Sequence, residues 1–421
     1  MTMNDAAIDG LSRRRFLGVS VALAGAAAAG KQAWARSVCA GQSGPDRRRE
    51  GAVRLFLAGD LMLGRGIDQI MPRSAPPNLH EPYIRDAREY VSLAQSANGP
   101  IPRNVDPTYV WGDALDELEA LAPDLRIVNL ETAITASGTP WPDKGIHYRM
   151  HPANTAMLRA AGIDCCTLAN NHVLDWGYRG LQDTLAALAD AGVAVAGAGR
   201  DANQAARPAL LGSPAGASVA VHALASQTSG VPPTWGASEN RAGVNLLGED
   251  PDATVAAVMQ RVGPRSPGQL VVASIHWGGN WGHQVPDWQQ RLAHRLIDSG
   301  AVDLVHGHSS HHPKAIEVYR GRLVLYGCGD LINDYEGIRE TSPFRSDLCL
   351  MYFADLDPAG GRLLRLTLSP MRLRRLRLQH AAPSETDWLR TTLNRESRRF
   401  GTRLEADGNG RLHLLPADLA G

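Results

Sequence analysis

Asp164-Cys165-Cys166-Thr167-Leu168-Ala169-Asn170-Asn171-His172-Val173-Leu174-Asp175 is an apolar run that ends on two amides, an imidazole and a carboxylate. A short apolar run bounded by polar residues is the pattern of a strand buried on both faces. Four other places share this grammar. Val53 to Ala58 closes on Gly59-Asp60, and Arg126-Ile127-Val128 closes on Asn129-Leu130-Glu131. Leu270 to Ile275 runs into His276-Trp277-Gly278-Gly279, and Val302 to Val305 into His306-Gly307-His308-Ser309-Ser310-His311-His312. In open α/β sheets the crevice beyond the strand C-termini is where ligands bind. Oxygen donors mixed with imidazoles suit Mn, Fe or Zn better than Ca or Mg.

Further strands are expected at Asp164 to Leu168, Val193 to Ala196, Ser218 to Leu224, Lys314 to Tyr319, Leu323 to Tyr326, Cys349 to Ala354 and Leu363 to Leu368. Amphipathic helices lie between several of them. Leu181, Leu185 and Leu188 share one face before Gly192; Trp288, Leu292 and Leu296 do so between Pro286 and Gly300. The fold class is α/β, with two sheets covered by outer helices. Met71 to Pro107, rich in Pro, Asn and Gly, is expected to form a long surface excursion that shapes a binding site. Glu385 to Phe400 is expected to be a terminal surface helix.

The chain has 421 residues with 43 basic and 43 acidic side chains, a balance that argues against a nucleic-acid partner. Five cysteines exclude a disulfide scaffold. At the N-terminus, Ser12-Arg13-Arg14-Arg15-Phe16-Leu17 precedes an apolar run too short for a membrane span, then Ala33-Trp34-Ala35. This resembles a twin-arginine signal peptide over residues 1–35, followed by a linker over 36–51. The expected location is periplasmic or extracytoplasmic, with no stable membrane span after signal cleavage.

Taken singly, each strand-end residue has an ordinary explanation. Asp60 suits a turn cap, Glu131 a surface acid, and His276 a satisfied core histidine. Four histidines within His306 to His312 are harder to dismiss, with His308 and His311 favoured as ligands. Jointly, the ordinary explanations require five coincidences.

Gly59-Asp60-Leu61-Met62-Leu63-Gly64-Arg65, Asn129-Leu130-Glu131-Thr132, Leu168 through Gly177 and Gly307-His308 through Tyr319 together resemble a known pattern. It is that of the CapA/PgsA-like capsule (poly-γ-glutamate) synthesis family, similar in fold to calcineurin-like metallophosphoesterases. The resemblance implies a four-layer α/β/β/α sandwich over 52–375, with 376–421 a C-terminal extension. It also implies one or two divalent metal ions. Asp60 would serve one metal and Glu131 bridge. Asn171, His276 and His308 would hold the second, with His311 returning to the first. His172 would be the general acid, with Asp175 either its orienting partner or a helix N-cap.

Three departures stand out. Met62 occupies a position where the phosphoesterase pattern has His, Glu131 replaces a bridging Asp, and His308 and His311 are three apart. Arg65 and Arg149 are candidates for gripping a substrate anion, or for surface ion pairs. Trp277 and Trp281 suit either a cleft wall or the core. His222, His294, His380 and His413 have no partner pattern, and His294 is expected to be exposed. The resulting expectation is an exported capsule-family protein with a hydrolase- or transferase-like metal site. Its substrate would be an acidic polymer or a phosphoester, and its partners capsule synthase components. The alternative is a non-catalytic, metal-stabilised module that binds an acidic polymer or a synthase partner.

Overall fold

Val53–Leu61 (β1) is buried at every position, as its unbroken apolar character requires. The computed structural model describes residues 51–415 apart from 215, 249, 264 and 339–342, so the expected export signal lies outside the described residues. Next to β1, Leu125–Leu130 (β2), Cys165–Thr167 (β3) and Ala194–Ala196 (β4) continue in parallel.

A six-stranded sheet follows in the chain. It contains Ala209–Gly212 (β5), Ser218–Ala225 (β6), Gln269–His276 (β7), Leu304–His308 (β8), Ile316–Tyr319 (β9) and Arg322–Leu325 (β10). Its order is β9-β10-β8-β7-β6-β5, and β6, β7, β8 and β10 run parallel. The chain then returns to the first sheet. Asp330–Ile332 (β11) pairs in parallel with the end of β1, where the antiparallel partner Leu348–Leu356 (β12) leaves off. Leu363–Leu373 (β13), Leu378–His380 (β14), Leu404–Ala406 (β15) and Leu412–Leu414 (β16) complete ten strands.

Strand alternation explains how the sheets are covered. In β6 and β7, Val219, Val221, Leu270 and Val272 enter the large core that also holds β1, β2 and β3. Their neighbours Ala220, Leu224, Val271, Ala273 and Ile275 enter a second core with Val258, Leu292 and Leu296. The six-stranded sheet is therefore buried on both faces, one of them under helices.

The main helices are Arg88–Asn98 (α1), Ala114–Leu121 (α2), Gly177–Asp190 (α3), Pro251–Val262 (α4), Asp287–Asp298 (α5) and Pro383–Ser397 (α6). The stripes expected from sequence are present. Leu181 and Leu188 are buried in α3, and Leu292 and Leu296 in α5. Gly192 adopts φ +72° just beyond α3, a conformation that favours glycine.

The excursion after Met71 contains α1, hidden in the sequence because only Tyr90, Val91 and Ala94 are buried. The C-terminal segment supplies β14 to β16 to the large sheet, and Leu389 and Leu393 of α6 are buried. Among the described residues no helix is long and apolar enough to cross a membrane.

Candidate metal centre

The parallel registers bring the strand ends together. Asp60 pairs with Asn129 in β2 and with Asp330 in β11, and His276 pairs with His308. Close packing enforces this. A Cβ on Gly59 would stand 2.0 Å from the Gly329 carbonyl oxygen, so β1 can approach that segment only through glycine.

Two groups of buried donor atoms converge on one carboxylate. Asp60, His276 and His308 form the first; Asp60, His311 and Asp330 form the second, with the ligand-type atoms of each group within 4.8 Å of one another. Asp60 Oδ1 lies 3.9 Å from His276 Nδ1 and 3.8 Å from His308 Nδ1, and those two nitrogens face each other at 2.8 Å. Glu131 Oε1 is 3.9 Å from His276 Nε2, and Asn171 Oδ1 is 2.9 Å from the same nitrogen. His311 Nδ1 sits 2.9 Å from Asp330 Oδ1, whose other oxygen accepts from Asn333 at 2.9 Å.

Neighbouring groups fix these side chains. Asn129 Nδ2 donates to Asp60 Oδ1 at 2.7 Å, and the Ser309 amide donates to Oδ2 at 3.2 Å. Ser274 Oγ contacts His308 Nε2 at 2.8 Å and His306 Nδ1 at 3.0 Å, while His306 Nε2 reaches the Ala58 carbonyl at 3.0 Å. His306 is thus a satisfied support inside the histidine cluster. Asn170 accepts from the amides of His172 and Val173, leaving Asn171 to face His276.

The donor set could hold a metal ion. Among the described residues, Glu131 Oε2 is a buried atom with no hydrogen-bond partner. Burial, then Asp330, pushes the Asp60 carboxyl up to about 7. Burial, then Asp60, raises Glu131 well above the carboxylate range. Burial also holds His276 and His308 well below the usual histidine value, which keeps them neutral, the form that ligates. Packed carboxylates that resist ionisation beside neutral imidazoles are what a cation would offset.

His172 is built differently. Its Nδ1 lies 2.6 Å from Asp175 Oδ2 and 3.0 Å from Lys144 Nζ, and Lys144 also pairs with Asp175. The Nε2 atom points towards Glu131 Oε1 at 3.7 Å. Asp175 accepts from the Tyr148 amide at 2.6 Å and does not cap α3, whose N-cap is Trp176. Burial, reinforced by Lys144 and opposed by Asp175, lowers His172 to about 4. Burial works against ionisation of Asp175, but His172 and Lys144 outweigh it and hold its carboxyl low.

Several sequence expectations change. Arg65 is not an open anion clamp: it is buried, bound to Glu81 and Asp334, and stacked between the rings of Tyr90 and Tyr148. Arg149 lies over Trp176 at 3.6 Å and donates to the Pro76 carbonyl at 2.7 Å. Met62 is buried, with Sδ 3.6 Å from the Tyr335 hydroxyl. His294 is half-buried against Glu317 and stacked on Tyr319 rather than exposed. Trp277 belongs to the second core, whereas Trp281 is exposed.

Sequence reasoning missed Asp330 and Lys144. The signal for Lys144 was its rarity, since Lys31, Lys144 and Lys314 are the only lysines among 43 basic residues. Asp330 had the Gly-Cys-Gly-Asp pattern at Gly327 to Asp330, a strand-start acid rather than a strand-end one.

An α/β fold with acids, amides and imidazoles gathered at its strand ends defines a class. The chain belongs to the bacterial capsule synthesis protein PGA_cap family, whose pattern matches residues 54–335. It is 48% identical over 367 residues to the "Probable polyglutamine synthesis accessory protein" of Mycobacterium tuberculosis, covering 87% of this chain and 96% of that one. It is 29% identical over 277 residues to "PGA biosynthesis protein CapA" of Bacillus subtilis, covering 66% of this chain and 62% of that one. The "Capsule biosynthesis protein CapA" of Bacillus anthracis is 26% identical over 294 residues, covering 69% and 62%.

Proposed function

We propose that this capsule-family chain is an exported accessory protein of poly-γ-glutamate or related capsular polymer synthesis, with a metal-dependent hydrolase- or transferase-like site. The observation that carries the reading is the convergence of two buried donor groups on Asp60. A four-layer α/β/β/α sandwich of the metallophosphoesterase type is part of this proposal, its large sheet extended beyond residue 375 by β14, β15 and β16. The relatives' names point to capsule synthase components as partners. Export by the twin-arginine route to a periplasmic or extracytoplasmic site, after loss of residues 1–35, completes the proposal.

One or two ions of Mn, Fe or Zn would be held by Asp60, Glu131, Asn171, His276, His308 and His311, with Asp330 added. A bound divalent ion supplies Lewis acidity towards a phosphoryl or carbonyl oxygen and lowers the pKa of water.

The chain's own residues do the rest. Asp175 and Lys144 compete for His172 Nδ1. When Nδ1 donates to Asp175, Nε2 is left as an acceptor; when Nδ1 accepts from Lys144, the hydrogen sits on Nε2, ready for a leaving group. Asn170 fixes the loop that aims this ring.

The alternative, a non-catalytic metal-stabilised module, is favoured by Met62 standing where the phosphoesterase pattern has a ligand. Elemental analysis combined with assays on phosphodiesters and γ-glutamyl peptides separates the two readings. The enzyme reading expects wild-type turnover, abolished in His276→Ala together with metal and with about 2.7 kcal/mol of stability at a metal concentration 100-fold above Kd. Metal content without turnover on any panel member selects the module.

A further inference from the structure

Beside the His311 end of the centre opens a cavity of about 690 Å³. Of the seven exposed large hydrophobics among the described residues, four line it: Tyr83 (87%), Trp281 (44%), Ile146 (43%) and Ile338 (40%). Elsewhere on a soluble protein such side chains are scattered singly, so their concentration around one opening marks a ligand surface. His311 is common to the cavity wall and to the Asp60–His311–Asp330 group.

Among the described residues, the charges of this wall do not match a polyanion. Arg65 is the guanidinium among the described lining residues, and its nitrogens are engaged by Asp334, Glu81 and the Tyr90 hydroxyl. Glu81 adds a negative charge of its own to the lining. A chain carrying a carboxylate on every residue would bring more negative charge than His311 and an ion at the adjacent centre could offset, at a desolvation cost. An apolar chain would instead cover the exposed rings and isoleucines. We infer that the cavity holds the apolar chain of a phosphorylated lipid whose phosphate sits beside His311. This deepens the proposed function, on which it rests, by naming the substrate class: a lipid-linked phosphate rather than the acidic polymer itself.

The test is calorimetric titration of the manganese-loaded full chain with methyl, butyl and octyl phosphate, below their micelle-forming concentrations. Affinity is expected to rise roughly two- to fourfold per added CH₂, from about 0.8 kcal/mol for each one fully buried. Ile146→Ser with Ile338→Ser, both at exposed positions, should flatten that rise while leaving methyl phosphate affinity unchanged. Methyl phosphate binding with no gain along the series would overturn the cavity assignment and leave the phosphoester reading standing. Octyl trimethylammonium binding as tightly as octyl phosphate would overturn the phosphate assignment. Displacement of octyl phosphate by a γ-glutamate oligomer at equal concentration would overturn the choice of lipid over polymer. Failure of all three phosphates to bind would remove both this inference and the phosphoester reading.

Discussion

His222 sits in β6, 3% exposed, on the face that β6 turns towards α4. Burial, together with the Arg261 cation, lowers its pKa to about 4. The unfolded chain protonates it near the ordinary value of about 6.5. Stability is therefore full above that value and is lost as the pH falls towards about 4. In that window His222→Leu should lose stability less steeply than wild type, by up to about 1.4 kcal/mol per pH unit. Denaturant titrations at several pH values check this, and parallel curves would contradict it.

Individual residues at the centre were unevenly legible in the sequence. Asp60, Glu131, Asn171, His276 and His308 were, because each ends an apolar run whose partners run parallel. Asp330 was not, because it begins its strand and reaches Asp60 only through the return of the chain to β1. The neutralisation of Arg65 was equally hidden, since Asp334 lies 269 residues away.

Among elements, the junction of β1 and β11 controls the centre. Gly59 lies against the Gly329 carbonyl, and the Asp60 amide donates to that same oxygen at 3.2 Å. Gly59→Ala should cost about 1–3 kcal/mol through overpacking and should lower metal content by separating Asp60 from Asp330. Denaturant unfolding and elemental analysis measure both. Unchanged stability would mean that the strand and the 329 carbonyl part freely. Strand existence was plain from apolar runs, whereas α1 was obscured because its short buried stripe lies among turn-forming residues.

At the scale of the whole molecule, the C-terminal segment is bound into the fold. Leu389, Leu393, Leu404 and Leu412 are each at most 1% exposed, and β16 pairs with β13. Each such burial is worth about 1.5–3 kcal/mol, and whole domains have about 5–15 kcal/mol in total. A chain ending at Ala382 should therefore lose cooperative melting, as followed by near-ultraviolet circular dichroism. A sharp transition near the wild-type temperature would mark residues 383–421 as separable. The segment 376–421, expected from the sequence as a C-terminal extension, contributes the buried Leu376 and Leu378 and the strands β14 to β16 to the large sheet.

Asp60 joins both donor groups, so its substitution bears most directly on the proposed centre. Elemental analysis of the folded full chain should find one or two divalent transition ions per wild-type molecule. In Asp60→Asn, metal affinity should fall more than about 100-fold, beyond the roughly 10–100-fold effect expected of a merely supporting residue. Full metal content in a folded Asp60→Asn protein, or none in wild type purified with Mn, Fe and Zn supplied, would contradict the account.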